Sequence, residues 1–186
     1  MSSGCKIFDQ YAHYFCTFTI VEWADIFSRQ VYRDIVAESF NHCIACKGLQ
    51  VHGYVFMSNH IHSILSATNG NLSGIIRDLK RFTSSKISQQ IRTGPESRAD
   101  WLIDVCRNAA LEHSRNSELQ VWRQNNHPEL LLSQKFLRQK LNYIHQNPVR
   151  AGLVLEPQHW VYSSAADYCF GKQVGPVEVS LLDLTL

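Results

Sequence analysis

The sequence has no run of about 18 apolar residues that could span a bilayer. Its first residues, MSSGCKIFDQ, lack the basic and then apolar pattern of a secretory signal. We therefore expect a cytoplasmic protein with no membrane partner. Internal repeats and low-complexity tracts are also absent. A chain of 186 residues that is 45% hydrophobic is long enough to form one domain with its own core.

Clustered cysteines are also lacking, because the six cysteines are scattered along the chain. Cys43 and Cys46 form one C-x-x-C pair, but there is no second pair and the surrounding segment has a helical pattern. We expect reduced thiols in a reducing compartment, with a structural zinc site at this pair as the less favoured alternative.

The net charge of +2 is small, but the charges are unevenly distributed. Residues 76–92 contain five basic residues and one acidic residue, and residues 133–152 contain four basic residues and no acidic one. The segment after Gly152 is acidic. This pattern is typical of a protein that binds a polyanion, although solvated helix faces can produce the same distribution.

The periodicity of apolar residues predicts alternating strands and helices. Residues 14–21 form a strand, and a helix capped by Ser28 follows and ends at Gly48. Two strands around Ser58-Asn59 form a hairpin. The other predicted elements are a helix over 72–91, a short helix or insertion over 101–116, short strands within 119–124 and 128–132, and a helix from Ser133 to 146. This order predicts an α+β fold with a mainly antiparallel sheet and helices packed on one face, for which the ferredoxin-like topology is one solution.

Two histidines lie one residue apart in the apolar stretch YVFMSNHIHSIL, residues 54–65. Side chains alternate along a strand, so His60 and His62 share a face about 6 to 7 Å apart and Ile61 faces the other way. Two such imidazoles can converge on one ion. The pair is not specific by itself, and two structural histidines are the alternative.

The helix that begins at Ser133 carries two further polar candidates. Tyr143 and Asn147 are four residues apart, so they share one face of that helix. Tyr143 lies away from the centre of the apolar stripe, which is formed by Leu137, Leu141 and Ile144. A tyrosine at the edge of the core with its hydroxyl in water is the alternative.

The segments MSNHIHSIL, LKRFTSSKI, VWRQNNHPELL, YIHQNPVRAGLV and WVYSSAADY occur in this order. Together they resemble the single-tyrosine transposases of the HUH class, in the branch of the REP-associated tyrosine transposases. The resemblance extends from about residue 14 to residue 168, so we predict one HUH transposase domain over residues 1–168 and a C-terminal tail over residues 169–186.

The resemblance implies a role for each candidate. Tyr143 corresponds to the nucleophile, and His60, His62 and Asn147 correspond to the ligands of a divalent ion, Mg²⁺ or Mn²⁺. A phenol is mostly protonated at neutral pH and is a poor nucleophile without help. A metal ion would lower this barrier by neutralising charge on the scissile phosphate. The implied reaction cleaves and rejoins single-stranded DNA through a 5′-phosphotyrosine.

The implied partner is single-stranded or hairpin DNA, with a homodimer as a possible assembly. Arg77, Lys80, Arg81 and Lys86 are the candidates for phosphate contacts. Trp122 and Tyr54 are candidates for stacking on bases, with a place in the core as the alternative for both.

Two other functions stay open at this point. The same fold could bind hairpin DNA or RNA without cleaving it, as a module derived from a transposase. A metal-dependent hydrolase that uses water in place of Tyr143 is the other.

Overall fold

The computed structural model describes residues 6–112 and 118–183. Its regular elements are β1 (Tyr14–Thr19), α1 (Gln30–Lys47), β2 (Leu49–Phe56), β3 (His60–Ala67), α2 (Leu72–Thr93), α3 (Ala99–Leu111), β4 (Glu129–Leu130), α4 (Gln134–Arg150) and α5 (Ala165–Phe170). Three short 3₁₀ turns lie in the connections.

The four strands form one sheet in the order β2-β3-β1-β4. Every neighbouring pair is antiparallel. Because β3 lies between β1 and β2, the unit β1-α1-β2 is a split βαβ unit, as in ferredoxin-like folds. The predicted α+β fold with an antiparallel sheet and packed helices is confirmed.

Helices cover both faces of the sheet, whereas the sequence led us to expect them on one face. Cys16 and Phe18 of β1 point into the larger core together with α1 and α2. Phe15 of the same strand points into a second core formed with α4. The expectation was wrong because both faces of β1 and β3 carry apolar residues, which require cover on both sides.

The helix α4 packs against the sheet through the apolar stripe identified in the sequence, since Leu137, Leu141 and Ile144 are all buried. Ser133 caps the helix as predicted, because its hydroxyl accepts a hydrogen bond from the Phe136 N–H. Gly53 in β2 allows this packing, since a Cβ there would lie 2.5 Å from Cδ1 of Leu141.

The end of α4 differs from the prediction that the helix stops before Pro148. The helix continues to Arg150, and Gly152 then adopts a left-handed conformation with φ +71°. The N–H of Leu153 donates to the carbonyl of Pro148 at 2.9 Å. A proline inside a helix removes one backbone donor and crowds the preceding turn. Pro148 is the buried residue of the last turn of α4, so its packing against the core accompanies the continued helix. Asn147 therefore stays on the helix, one turn after Tyr143.

Three local predictions were also wrong. Arg29, and not Ser28, is the residue before α1, and it makes no side-chain cap. The apolar periodicity of residues 72–91 predicts Phe82 in the buried stripe of α2, but Phe82 is 54% exposed and Thr83 lies in the buried face instead. Residues 119–124 contribute a single bridge at Trp122 in place of a strand. The predicted end of the helix at residue 116 lies outside the described residues.

The C-terminal segment packs along the free edge of β2. The Ser164 N–H donates to the carbonyl of Tyr54, and the Ser180 N–H donates to the carbonyl of Val51. Val177 is fully buried. Pairing of this kind protects a sheet edge. Within residues 6–112 and 118–183, no helix is both long enough and apolar enough to cross a membrane.

Candidate active site

The two histidines lie side by side on β3, on the face of the sheet that α4 covers. Their ring centroids are 4.7 Å apart. His62 is buried and His60 is half-buried. The alternation of side chains along β3 that the sequence predicted therefore places both imidazoles at one spot.

A hydrogen bond orients each imidazole through its Nδ1 atom. Nδ1 of His60 lies 2.7 Å from Oδ1 of Asn59, and Nδ1 of His62 lies 2.9 Å from Oγ1 of Thr17 on β1. The Asn59 oxygen can only accept, so Nδ1 of His60 carries the proton and Nε2 keeps its lone pair. Such outer partners commonly orient histidines that bind metal ions.

Both histidines are held in the neutral form. Burial lowers the pKa of His60. Burial, together with the nearby His60 and Lys140, lowers the pKa of His62 to about 3. Neutral imidazole is the form that binds a metal ion, so no proton has to be removed from either ring at neutral pH.

Tyr143 approaches the same spot from α4. Its hydroxyl lies 3.5 Å from Nε2 of His62, a long contact. The Tyr143 ring also meets the edge of Phe15 at a centroid distance of 5.9 Å. The residue is 37% exposed, so its hydroxyl is not sealed inside the core and a substrate can reach it.

Other polar groups of α4 surround this tyrosine. Asn147 lies one turn further along the helix and is half-buried. The Arg150 guanidinium lies 5.6 Å from the centroid of the Tyr143 ring. The Lys140 ammonium lies 4.4 Å from the centroid of the Phe15 ring and forms an ion pair with Glu129 at 2.7 Å. Two cations thus flank the tyrosine, and neither of them was assigned to the site from the sequence.

The donor atoms at this spot fit a divalent ion whose coordination shell is completed by phosphate oxygens of a substrate. Nε2 of His60 keeps its lone pair for an ion, and Nε2 of His62 does so when Nδ1 of that ring donates to the Thr17 hydroxyl. The Asn147 amide is the third candidate. No group of three histidine, cysteine or acidic side chains that could hold a metal ion occurs in the part of the chain that the structure describes. Among the described residues, Cys43 and Cys46 therefore belong to no such group, and Cys43 is buried while Cys46 is exposed. The remaining ligands of an ion at the histidines would therefore be other groups, such as the Asn147 amide, substrate oxygens or water.

A basic groove runs along α2 and the segment 118–128, with a volume of about 1160 Å³. Its lining contains five basic side chains and one acidic side chain. The acidic residue, Glu118, is paired with Arg92 at 2.9 Å. The other basic residues of this groove are Lys6, Arg77, Lys80 and Arg81.

The structure separates the four residues that the sequence grouped as phosphate contacts. Arg77 and Arg81 have highly exposed side chains in the groove, each near Asp78. Lys80 uses all three of its donors internally, on the carbonyls of residues 123 and 124 and on the Asn126 side chain. A direct phosphate contact by Lys80 would have to displace one of these bonds. Lys86 does not line the groove and lies over the Phe82 ring, with its Nζ atom 5.7 Å from the centroid.

Both aromatic residues suggested for base stacking belong to the core. Trp122 is 6% exposed and Tyr54 is fully buried, so the alternative of a core position holds for both. The Trp122 indole N–H donates to the Thr83 hydroxyl at 2.9 Å. Sequence reasoning missed Asn59 and Thr17, which orient the histidines. Asn59 could have been found because it precedes His60, but Thr17 depends on strand pairing that no local pattern shows.

No protein-family model matches the chain, and no curated protein matches it significantly. Among solved structures, it is similar to a REP-associated tyrosine transposase bound to a REP hairpin, with a TM-score of 0.64 and 14% sequence identity. The match covers 98% of this chain and 94% of that chain. Together with the antiparallel sheet and its packed helices, this likeness shows that the chain has the fold of the REP-associated tyrosine transposase.

Proposed function

We propose that the protein is a DNA transposase that cleaves and rejoins single-stranded DNA through Tyr143. The observation that carries the proposal is the Tyr143 hydroxyl at 3.5 Å from Nε2 of His62. A nucleophile next to a pair of neutral, oriented imidazoles is the arrangement that this chemistry requires.

The reaction exchanges one phosphodiester for another. The Tyr143 oxygen attacks the phosphorus, and the bond from phosphorus to the 3′-oxygen breaks. The hydroxyl proton leaves the tyrosine and the 3′-oxygen departs as a free 3′-OH, while the 5′-phosphate stays on the tyrosine. Because a phosphodiester is conserved, a second DNA 3′-OH can reverse the step and join strands without an external energy source.

His60, His62 and Asn147 would hold a divalent ion, Mg²⁺ or Mn²⁺. When bound, the ion supplies positive charge that stabilises the scissile phosphate and the departing oxygen. The protein's own contribution is to keep both imidazoles neutral, to orient them through Asn59 and Thr17, and to hold Tyr143 on a rigid helix. The flanking Lys140 and Arg150 add positive charge where the phosphate would lie.

The DNA backbone would follow the basic groove. Arg77 and Arg81 provide exposed guanidinium groups for phosphates. Lys80 holds the loop 123–126 against α2 and so shapes the wall of the groove. Lys86 lies outside the groove, so it would contact the DNA only where the strand extends beyond the groove. Tyr143 lies next to His62 and His60 within one chain, so the proposed reaction uses a tyrosine of the same subunit, and the homodimer stays a prediction.

A non-catalytic module that binds hairpin DNA or RNA is the second candidate, since the basic groove alone is sufficient for binding. A hydrolase that uses water is the third. The three candidates differ in what happens at Tyr143. Only the transposase forms a covalent bond between this residue and DNA.

The deciding experiment incubates the protein with labelled single-stranded hairpin DNA, with and without Mn²⁺, and separates the products on a denaturing gel. The proposal predicts a protein-DNA adduct that survives SDS and requires Mn²⁺. Binding without an adduct would support the non-catalytic module. Cleavage without an adduct would support the hydrolase.

A further inference from the structure

The first 3₁₀ turn after β1 contains an exposed tryptophan in an unusual conformation. Trp23 is 52% exposed, and its φ angle is +54°. Its neighbour Glu22 also has a positive φ, +49°. A bulky residue in the left-handed region is a genuine outlier, and backbone strain of this kind clusters at functional sites. A solvated aromatic side chain does not by itself explain why the strain is kept.

The strained tryptophan lies directly beside the histidine pair. Its ring meets His60 edge-on at a centroid distance of 6.2 Å. Asn59 connects the two, because its Oδ1 atom bonds to Nδ1 of His60 while its Nδ2 atom donates to the Trp23 carbonyl at 3.2 Å. The group that orients the imidazole therefore also holds the tryptophan.

A cation lies over the same ring. The Arg123 guanidinium is 5.0 Å from the centroid of the Trp23 ring, and the Arg123 side chain is exposed. The Arg123 carbonyl accepts a hydrogen bond from Lys80 in the basic groove at 2.6 Å. The loop 123–126 thus connects the groove to Trp23, and Trp23 connects it to His60.

We propose that Trp23 is a stacking platform for an unpaired base next to the scissile phosphate, with Arg123 as the contact for a neighbouring phosphate. This inference rests on the proposed function, because it names how the same site holds single-stranded DNA. Stacking of a base on an exposed aromatic ring does not depend on base identity, and a guanidinium over the ring adds a cation for the backbone. The ligand chemistry is an unpaired nucleotide, and duplex DNA cannot offer it.

The test measures binding in Tyr143→Phe protein, so that no cleavage occurs. Oligothymidine is the single-stranded probe, and a blunt-ended two-strand duplex is the fully paired control. We expect oligothymidine, but not the blunt-ended duplex, to quench tryptophan emission. Trp23→Ala should remove this quenching and weaken binding of oligothymidine by about tenfold or more, whereas Trp23→Phe should keep most of the affinity.

Trp101 provides a matched control on α3. It is 49% exposed and has the Arg98 guanidinium 5.7 Å from its ring centroid, but it lies outside the site. We expect Trp101→Ala to keep both the affinity and the quenching by oligothymidine. Equal losses in the Trp23 and Trp101 variants would overturn the inference.

Stability separates a binding role from a structural one. Trp23→Gly relieves the left-handed backbone, so we expect the urea midpoint of unfolding to stay the same or rise while affinity falls. A lower midpoint with unchanged affinity would show that the tryptophan is structural. If Trp23→Ala loses the quenching but the wild-type protein forms no adduct, the transposase proposal is wrong and the stacking platform stands. An adduct with unchanged binding in Trp23→Ala would sink only the stacking platform.

Discussion

The hydroxyl of Tyr143 lies 3.5 Å from Nε2 of His62, although 81 residues separate the two in the sequence. His62 belongs to β3, the second strand of the hairpin, and Tyr143 belongs to α4, the helix that covers this strand. Leu141 and Ile144 of α4 are buried in the core between this helix and the sheet. This apolar stripe fixes the rotation of α4 about its axis, and the rotation sets the distance from Tyr143 to His62. Four predictions test the site and its surroundings.

Replacing the nucleophile should abolish the covalent step and leave binding intact. In Tyr143→Phe we expect no adduct with hairpin DNA on a denaturing gel and an affinity within about twofold of the wild-type value, since only one exposed oxygen is lost. Tyr11→Phe is the matched control, because Tyr11 is 65% exposed and belongs to neither the site nor the groove. An adduct that persists in Tyr143→Phe would identify a different nucleophile.

Removing the hydroxyl that orients His62 should weaken the metal site. Thr17→Val loses the 2.9 Å hydrogen bond to Nδ1 of His62 and keeps the size of the side chain. We expect the Mn²⁺ concentration for half-maximal adduct formation to rise about 10- to 100-fold. Thr17→Ser retains the hydroxyl and should restore the wild-type value. An unchanged Mn²⁺ requirement in Thr17→Val would argue against His62 as a ligand.

The salt dependence of DNA binding should distinguish residues in the groove from those outside it. For single-stranded DNA, log affinity falls as log salt concentration rises, and each lost phosphate contact reduces the magnitude of this slope by about 0.7. We expect this decrease for Arg77→Gln and for Arg81→Gln. Lys86→Gln should leave the slope unchanged if the strand stays within the groove. The opposite pattern, with only Lys86→Gln reducing the slope, would place the DNA on the other side of α2.

Acid should destabilise the fold through His52, which is buried and bonded to Ser66 and to the Ser180 carbonyl. Burial, with the adjacent His13, lowers the pKa of His52 from 6.5 to about 4. Between those values the unfolded chain binds a proton that the folded chain does not, so the free energy of unfolding falls as the pH drops from 6.5 to about 4. The maximal slope for one such group is about 1.4 kcal/mol per pH unit.

Urea unfolding at a series of pH values measures this contribution. His52→Gln should be less stable at neutral pH and should show a shallower loss of stability below pH 6.5. His42→Gln replaces an exposed histidine of α1 and should leave the curve unchanged. Parallel curves for wild-type and His52→Gln protein would assign the acid sensitivity to other groups.

Several features of the fold follow from local patterns alone. The two strands of the hairpin, the buried stripe of α4 and the shared face of His60 and His62 each depend on a periodicity of two or 3.6 residues, which neighbouring residues in the sequence display directly. The Ser133 cap and the left-handed Gly48 are also local, because each depends on the conformation of a few consecutive residues.

Packing between distant segments decided the rest. Thr17 meets His62 because β1 and β3 pair in a register that places these two residues opposite each other. Helices lie on both faces of the sheet because two apolar faces need cover. The Lys80 ammonium lies on the loop 123–126, and a lysine in a basic segment gives no sign of such a partner.

The amino-acid sequence by itself determined which residue types were available for the chemistry and on which face of its own element each one lies. Only the tertiary structure decided that Tyr143 and His62 meet. It also decided that Trp23 lies exposed beside His60, whereas Trp122 is buried in the core. A side chain's direction depends on the backbone of its own few residues, whereas its neighbours depend on how whole elements pack and on the register between strands.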